Sequence, residues 1–180
     1  MEQCATVRLL AVLCCYLGIP HPGISAELTR FSGNHTFKLD ENHAFPIGDD
    51  PDHLLGVFKS SGSNKSTGQT TFLDGATETE VVYYDVFKGS GRHHGFIHYR
   101  NADGTLTNEF DGFGTVVVVD GKPQSLGVGS WHVVSGTGRY ANGVGVGTYT
   151  TRLALPDFEG ATEWEGTFVE NAGSADSGSK

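Results

Sequence analysis

From Leu54 onward the chain is cut at short intervals by Asp74-Gly75, Asp103-Gly104, Asp111-Gly112, Asp120-Gly121 and Asn142-Gly143, and the segments between are rich in Val, Thr, Tyr, Phe and Trp. Asp-Gly and Asn-Gly accept the positive φ that tight hairpin turns demand, and β-branched and aromatic residues suit a pleated sheet. No segment after residue 27 carries a sustained helical period with caps, so the pattern predicts an all-β chain. Strands are expected at 54–60, 68–74, 77–88, 93–100, 105–119, 124–134, 145–155 and 161–169. Asp111-Gly112, closely flanked by strand-like residues, reads as a bulge inside one long strand rather than a turn. Residues 27–53 contain Pro46, Pro51, Gly33, Gly48 and an acidic run without a hydrophobic period, and read as an irregular lead-in. The last ten residues, 171–180, read as a disordered tail.

Eight antiparallel strands with short connections satisfy their edges best by closing on themselves. The expectation is therefore one closed eight-stranded antiparallel β-barrel over 54–170, with a two-sheet sandwich as the second choice. Such a barrel has an interior that side chains fill or that holds one small ligand. Gly112, Gly114, Gly127, Gly129, Gly145 and Gly147 recur at two-residue spacing, which puts them on one face of each strand, where missing side chains let strands coil or let another group approach.

At the N-terminus, Arg8 precedes the apolar run 9–19, which is followed by Pro20, Pro22 and the small residues Ser25 and Ala26. The run is too short to span a bilayer and has the order of a secretory signal peptide, so residues 1–26 are expected to be removed and the mature protein to be extracellular, or periplasmic in a bacterium. Cys4, Cys14 and Cys15, the three cysteines of the chain, all fall in this segment. The mature chain would then have no disulfide, thiolate nucleophile or Cys-ligated metal, and a continuous sheet must hold it together. The formal net charge is -9 with 12 Lys and Arg, which argues against a nucleic-acid partner and against electrostatic membrane binding. Asn34-His35-Thr36 and Asn64-Lys65-Ser66 are glycosylation sequons in polar stretches.

The stretch SGTGRYANG lacks the Lys that a phosphate loop places after its last Gly, and Ala141 stands at the third glycine of a dinucleotide fingerprint. It reads instead as a hairpin connection, with Gly136, Gly138 and Gly143 free to take left-handed angles and Tyr140 folded inward as a plug. The longer stretch from Trp131 to Tyr149 resembles the G-[GS]-T-G-[KR]-[FY]-x-x-x-x-G-x-G signature of the allene oxide cyclase-like and dirigent-like β-barrels, through Gly136, Thr137, Gly138 and Tyr140. The resemblance extends over roughly residues 68–155. It implies an eight-stranded calycin-like barrel, dimeric or trimeric in its relatives, with a mostly apolar cavity in which a small molecule is cyclised or its coupling steered, without a cofactor. The cysteine that plant cyclases carry in the cavity has no counterpart in the predicted mature chain.

Candidate chemistry comes from alternation along the strands. In VVYYDVFKG, Tyr83, Asp85 and Phe87 share one face and Val82, Tyr84 and Val86 the other. If the first face lines the cavity, Asp85 is a carboxyl in an apolar wall, suited to proton transfer; if the second does, Asp85 meets water. His93 and His94 point to opposite faces, and His94 and His98 stand about 13 Å apart on a strand, too far to clasp one metal ion. No metal site is expected. Glu163 and Glu165 read as outward-facing, and His35, His43 and His53 in the lead-in read as solvent-exposed. Two readings follow. In the first, the protein is a secreted binder of a small apolar or aromatic molecule that steers its cyclisation or isomerisation, with Asp85 and His94 as catalytic candidates and Tyr83, Glu109, Trp131 and Tyr149 as ligand contacts. In the alternative it is a non-enzymatic extracellular scaffold with a filled core.

Overall fold

The computed structural model describes residues 29–68 and 70–170; the expected signal segment and tail lie outside the described residues. Eight strands follow in chain order: β1 Thr29–Ile47, β2 Asp50–Ser66, β3 Thr77–Phe87, β4 Ser90–Asn101, β5 Gly104–Val119, β6 Lys122–Gly136, β7 Val144–Ala154 and β8 Glu159–Val169. Each pairs antiparallel with the next, and β1 also pairs with β8 from Thr29↔Phe168 to Lys38↔Glu159. The sheet is therefore a single ring of eight strands with no free edge, rather than two stacked sheets.

Two segments differ from the sequence expectation. Residues 27–53 are not an irregular lead-in, because 29–47 form β1 and 50–53 begin β2. β1 alternates after all: Phe31, Gly33, His35 and Phe37 are buried, with Ser32, Asn34, Thr36 and Lys38 between them on the outer face. Glycine and histidine at two of the four inward positions hide that alternation from a hydrophobicity count. Conversely, residues 68 and 70–74, expected as part of a strand, form none. They belong to the connection between β2 and β3, folded by Asp74 N–H to Thr71 O and Ala76 N–H to Leu73 O, with Gly75 at φ +66°.

That connection closes one end of the ring. Phe72 and Leu73 enter the interior, where Phe72 stacks on Phe31 at 4.3 Å between ring centroids and meets Phe168 at 5.0 Å. Tyr140, 0% exposed, joins them from the β6–β7 connection, edge-on to Phe72 at 5.5 Å, and its hydroxyl accepts a hydrogen bond from Asn101 Nδ2 at 3.0 Å. Burying each of these rings is worth on the order of 1.5–3 kcal/mol. The inward Tyr140 plug is as expected, but the backbone reason is narrower. Of the three glycines expected to turn left-handed, only Gly138 does (φ +59°), and Asn142 (φ +58°) takes that role beside Gly143. Gly136 is required for another reason, since a Cβ there would lie 2.3 Å from the Tyr140 carbonyl oxygen. Asp111-Gly112 keeps regular register with Ser130 and Gly129 and is no bulge; the β5–β6 irregularity lies between Thr107 and Asn108.

Glycines on the inner wall make room for rings. A Cβ at Gly147 or Gly166 would strike the Trp131 indole at 2.4 Å, and one at Gly33 would strike Trp164. Gly112 and Gly129 stand where a Cβ would meet the Tyr149 hydroxyl at 2.5 Å. Their two-residue spacing thus marks the inward face.

Candidate functional site

The end of the ring away from the plug carries the β1–β2, β3–β4, β5–β6 and β7–β8 turns, and from it a cavity of about 420 Å³ runs inward. That size falls within the range of small-molecule sites, roughly 300–1,000 Å³. Its walls are mostly apolar, with Phe37, Leu54, Phe58, Val82, Phe110 and Leu153 among them; Asn42, Asp52, Tyr84 and Ser125 add polar groups, and so do Glu80, His93, Tyr149, Thr151 and Thr162. A smaller chamber of about 40 Å³ lies deeper, between the cavity and the plug, and shares Glu80, Phe110, Tyr149, Thr151 and Thr162 with it.

The inward face of β3 carries Glu78, Glu80, Val82, Tyr84 and Val86. Glu80 stands where cavity and chamber meet and accepts a hydrogen bond from Ser60 Oγ at 2.9 Å. Burial raises its carboxyl from 4.5 to about 7, against the lowering effect of the Ser60 bond, so near neutrality it can both give and take a proton. Glu78, 3% exposed, is pushed to about 9 by burial and by the neighbouring charge of Glu80. Its Oε2 lies 3.4 Å from His35 Nδ1, but burial lowers His35 to about 4. The contact is therefore a protonated carboxyl facing a neutral imidazole, not an ion pair.

His93 Nε2 and Tyr149 Oη share a hydrogen bond of 2.5 Å in the cavity wall. Burial holds His93 below its ordinary range, partly offset by Asp111, and raises the Tyr149 phenol, with Glu80 and Asp111 adding to the rise. Both groups are neutral near pH 7 and can orient a polar atom of a ligand.

The sequence candidates divide by face. Trp131 and Tyr149 point inward, as ligand contacts should. Tyr83, Asp85, His94 and Glu109 lie on the outer wall, which removes them from any chemistry in the interior. Tyr83 is 53% exposed, and Asp85 Oδ1 bonds His53 Nε2 at 2.8 Å on that surface. His94 and His132 each approach Glu109, at 3.5 and 3.3 Å. For Tyr83 and Asp85 the cause is the phase of β3: Val82 is packed in the core, so every odd position from Tyr83 faces out, while Ile97 on β4 and Phe110 on β5 set the phases that turn His94 and Glu109 outward. His35, expected at the surface, is buried beside Tyr99. Asn64, read as a glycosylation sequon, is 3% exposed; its Nδ2 donates to Leu73 O at 2.9 Å and its Oδ1 accepts from Trp164 Nε1 at 2.8 Å, so the folded chain has no room for a glycan there. Asn34 sits on the outward face of β1. Among the described residues no three His, Cys, Asp or Glu side chains converge as metal ligands.

Glu78, Glu80 and His93 were not singled out from the sequence as interior groups. The signal was the alternation itself, since Glu78 and Glu80 in TETEVVYY share parity with Val82. Choosing Val82 over Tyr83 as the core residue would have brought both carboxyls inside. The arrangement defines a ring-closed antiparallel β protein with a largely apolar cavity and a buried carboxyl, Glu80, where the cavity meets the deeper chamber. No protein-family model matches the chain, and no curated protein matches it.

Proposed function

We propose that the protein is a secreted calycin-like β-barrel that takes a small apolar or aromatic molecule into its interior and steers its cyclisation or isomerisation, in the manner of the allene oxide cyclase-like and dirigent-like barrels. The observation that carries this reading is the cavity of about 420 Å³, walled by apolar side chains and ending on Glu80. A scaffold needs no such space, so the cavity favours binding over the filled-core alternative. In this reading the walls strip water from the ligand and hold one of its conformers. Glu80 protonates a developing oxyanion or takes a proton from an adjacent carbon, while the His93–Tyr149 pair orients a polar atom. Residues 1–26 act as the export signal. A homodimer or homotrimer would cover part of the apolar outer wall around Tyr83, Phe113 and Val128.

Fluorescence titration with the neutral probe N-phenyl-1-naphthylamine tests the binding step. One saturable site is expected, lost in Gly114→Phe, because a Cβ at Gly114 meets nothing closer than 3.5 Å and the added ring extends into the cavity. Absence of saturable binding to the folded wild type would sink the proposal.

A further inference from the structure

We propose that the deep chamber is a hydroxyl-recognition subsite, so that the ligand is an otherwise apolar molecule entering with one alcohol or phenol hydroxyl foremost. The inference rests on the interior being the binding site, as proposed above. Asn108 and Trp131 both line the chamber and are 5% and 7% exposed. Within this buried wall, Asn108 Oδ1 and Trp131 Nε1 have no hydrogen-bond partner. Buried polar atoms are nearly always paired, so an unpaired acceptor and an unpaired donor in the wall of one chamber call for a guest that can serve both.

The chemistry of the guest follows from the two atoms. An indole N–H can only donate and an amide oxygen can only accept. A hydroxyl combines both functions in one group, accepting as Trp131 Nε1 requires and donating as Asn108 Oδ1 requires. A ketone or ether oxygen would satisfy the indole and leave the amide oxygen unpaired. A carboxylate would face Glu80 across the same space, with His35 as the only imidazole in the chamber wall and that one held neutral by burial. The chamber, about 40 Å³, exceeds the roughly 10–15 Å³ that a water-sized group requires, yet Phe72, Leu73, Ile97, Phe110 and Trp164 also wall it, so a head group enters and a ring does not. The residues shared with the larger cavity make the two spaces continuous, and the apolar body of the ligand remains outside the chamber.

The test is displacement of N-phenyl-1-naphthylamine at pH 6 by the matched pair 2-naphthol and 2-methylnaphthalene, which differ by a hydroxyl in place of a methyl. Wild type is expected to bind the naphthol at least tenfold more tightly. Asn108→Leu and Trp131→Phe are each expected to reduce that preference below threefold, with thermal melts checking that each variant folds. A wild-type preference below tenfold overturns the inference without any variant, as does a preference that survives in both folded variants. If the probe and both compounds fail to bind, the cavity reading itself falls; if they bind without discrimination, only the hydroxyl subsite does.

Discussion

Glu78 illustrates how much a single inward position can cost. Both its carboxylate oxygens are buried without a hydrogen-bond partner, and its acid stays protonated in the fold up to about pH 9, whereas an ordinary glutamate ionises near 4.5. Between those values the folded chain holds a proton that the unfolded chain has released, so stability falls as pH rises. His35 acts in the opposite sense: lowered from 6.5 to about 4, it makes stability rise with pH between those values and contributes no slope above them. Glu80, at about 7, has largely titrated once pH exceeds 8. Urea unfolding should therefore show wild type losing on the order of 2 kcal/mol between pH 7 and 9, since one proton is worth about 1.4 kcal/mol per pH unit, and Glu78→Gln losing clearly less. Equal slopes in the two proteins would mean that Glu78 ionises normally in the fold. The parity of these residues was legible in TETEVVYYDVF, but which parity faces inward was not. Tyr83 and Tyr84 both suit a core, and alternation carries no sign until one position is packed against another strand.

The β6–β7 connection shows the same division at the level of the element. Its glycine spacing announced a turn, and the inward Tyr140 followed from an aromatic residue in the middle of it. The reason Gly138 in particular is needed lies partly in another connection. Gly138 takes φ +59°, and a Cβ there would also lie 2.2 Å from the carbonyl oxygen of Asp103 in the β4–β5 turn; Gly121 has a similar φ of +76° with nothing within 4 Å. Gly121→Ala should accordingly cost only the left-handed strain, about 1–2 kcal/mol, and Gly138→Ala clearly more, both read from urea midpoints. Similar losses at the two sites would show that the contact with Asp103 relaxes freely. The β2–β3 connection taught the converse. Phe72 and Leu73 have strand-forming neighbours, yet Asp74 and Gly75 fold them into a plug, because closing the ring leaves one end of its interior to be covered.

At the scale of the molecule, closure is the decisive property, and it depends on a strand without a hydrophobic signature. β1 bridges β2 and β8; without it both would present long unpaired edges, and Phe31 and His35 would leave the interior. A chain beginning at Asp50 should therefore fail to form a soluble monomer and should sediment as aggregate, despite retaining all the residues of the conspicuous strands. Monomeric, cooperatively melting protein from such a chain would show that β1 is dispensable.

What the sequence determined by itself is local. Hairpin turns, the all-β class of the described residues, seven of the eight strands and the inward tyrosine of the β6–β7 connection all follow from residues near one another, through backbone angles and side-chain alternation; the expected total of eight agrees only because 68–74 stood in for the missed β1. The tertiary structure decided which face of each strand is inside, that the segment before Leu54 completes the ring, and that Glu78, Glu80 and His93 rather than Asp85 and His94 meet in the interior. Those are properties of packing between residues distant in the chain, and a two-residue alternation is identical whichever side is turned to the core.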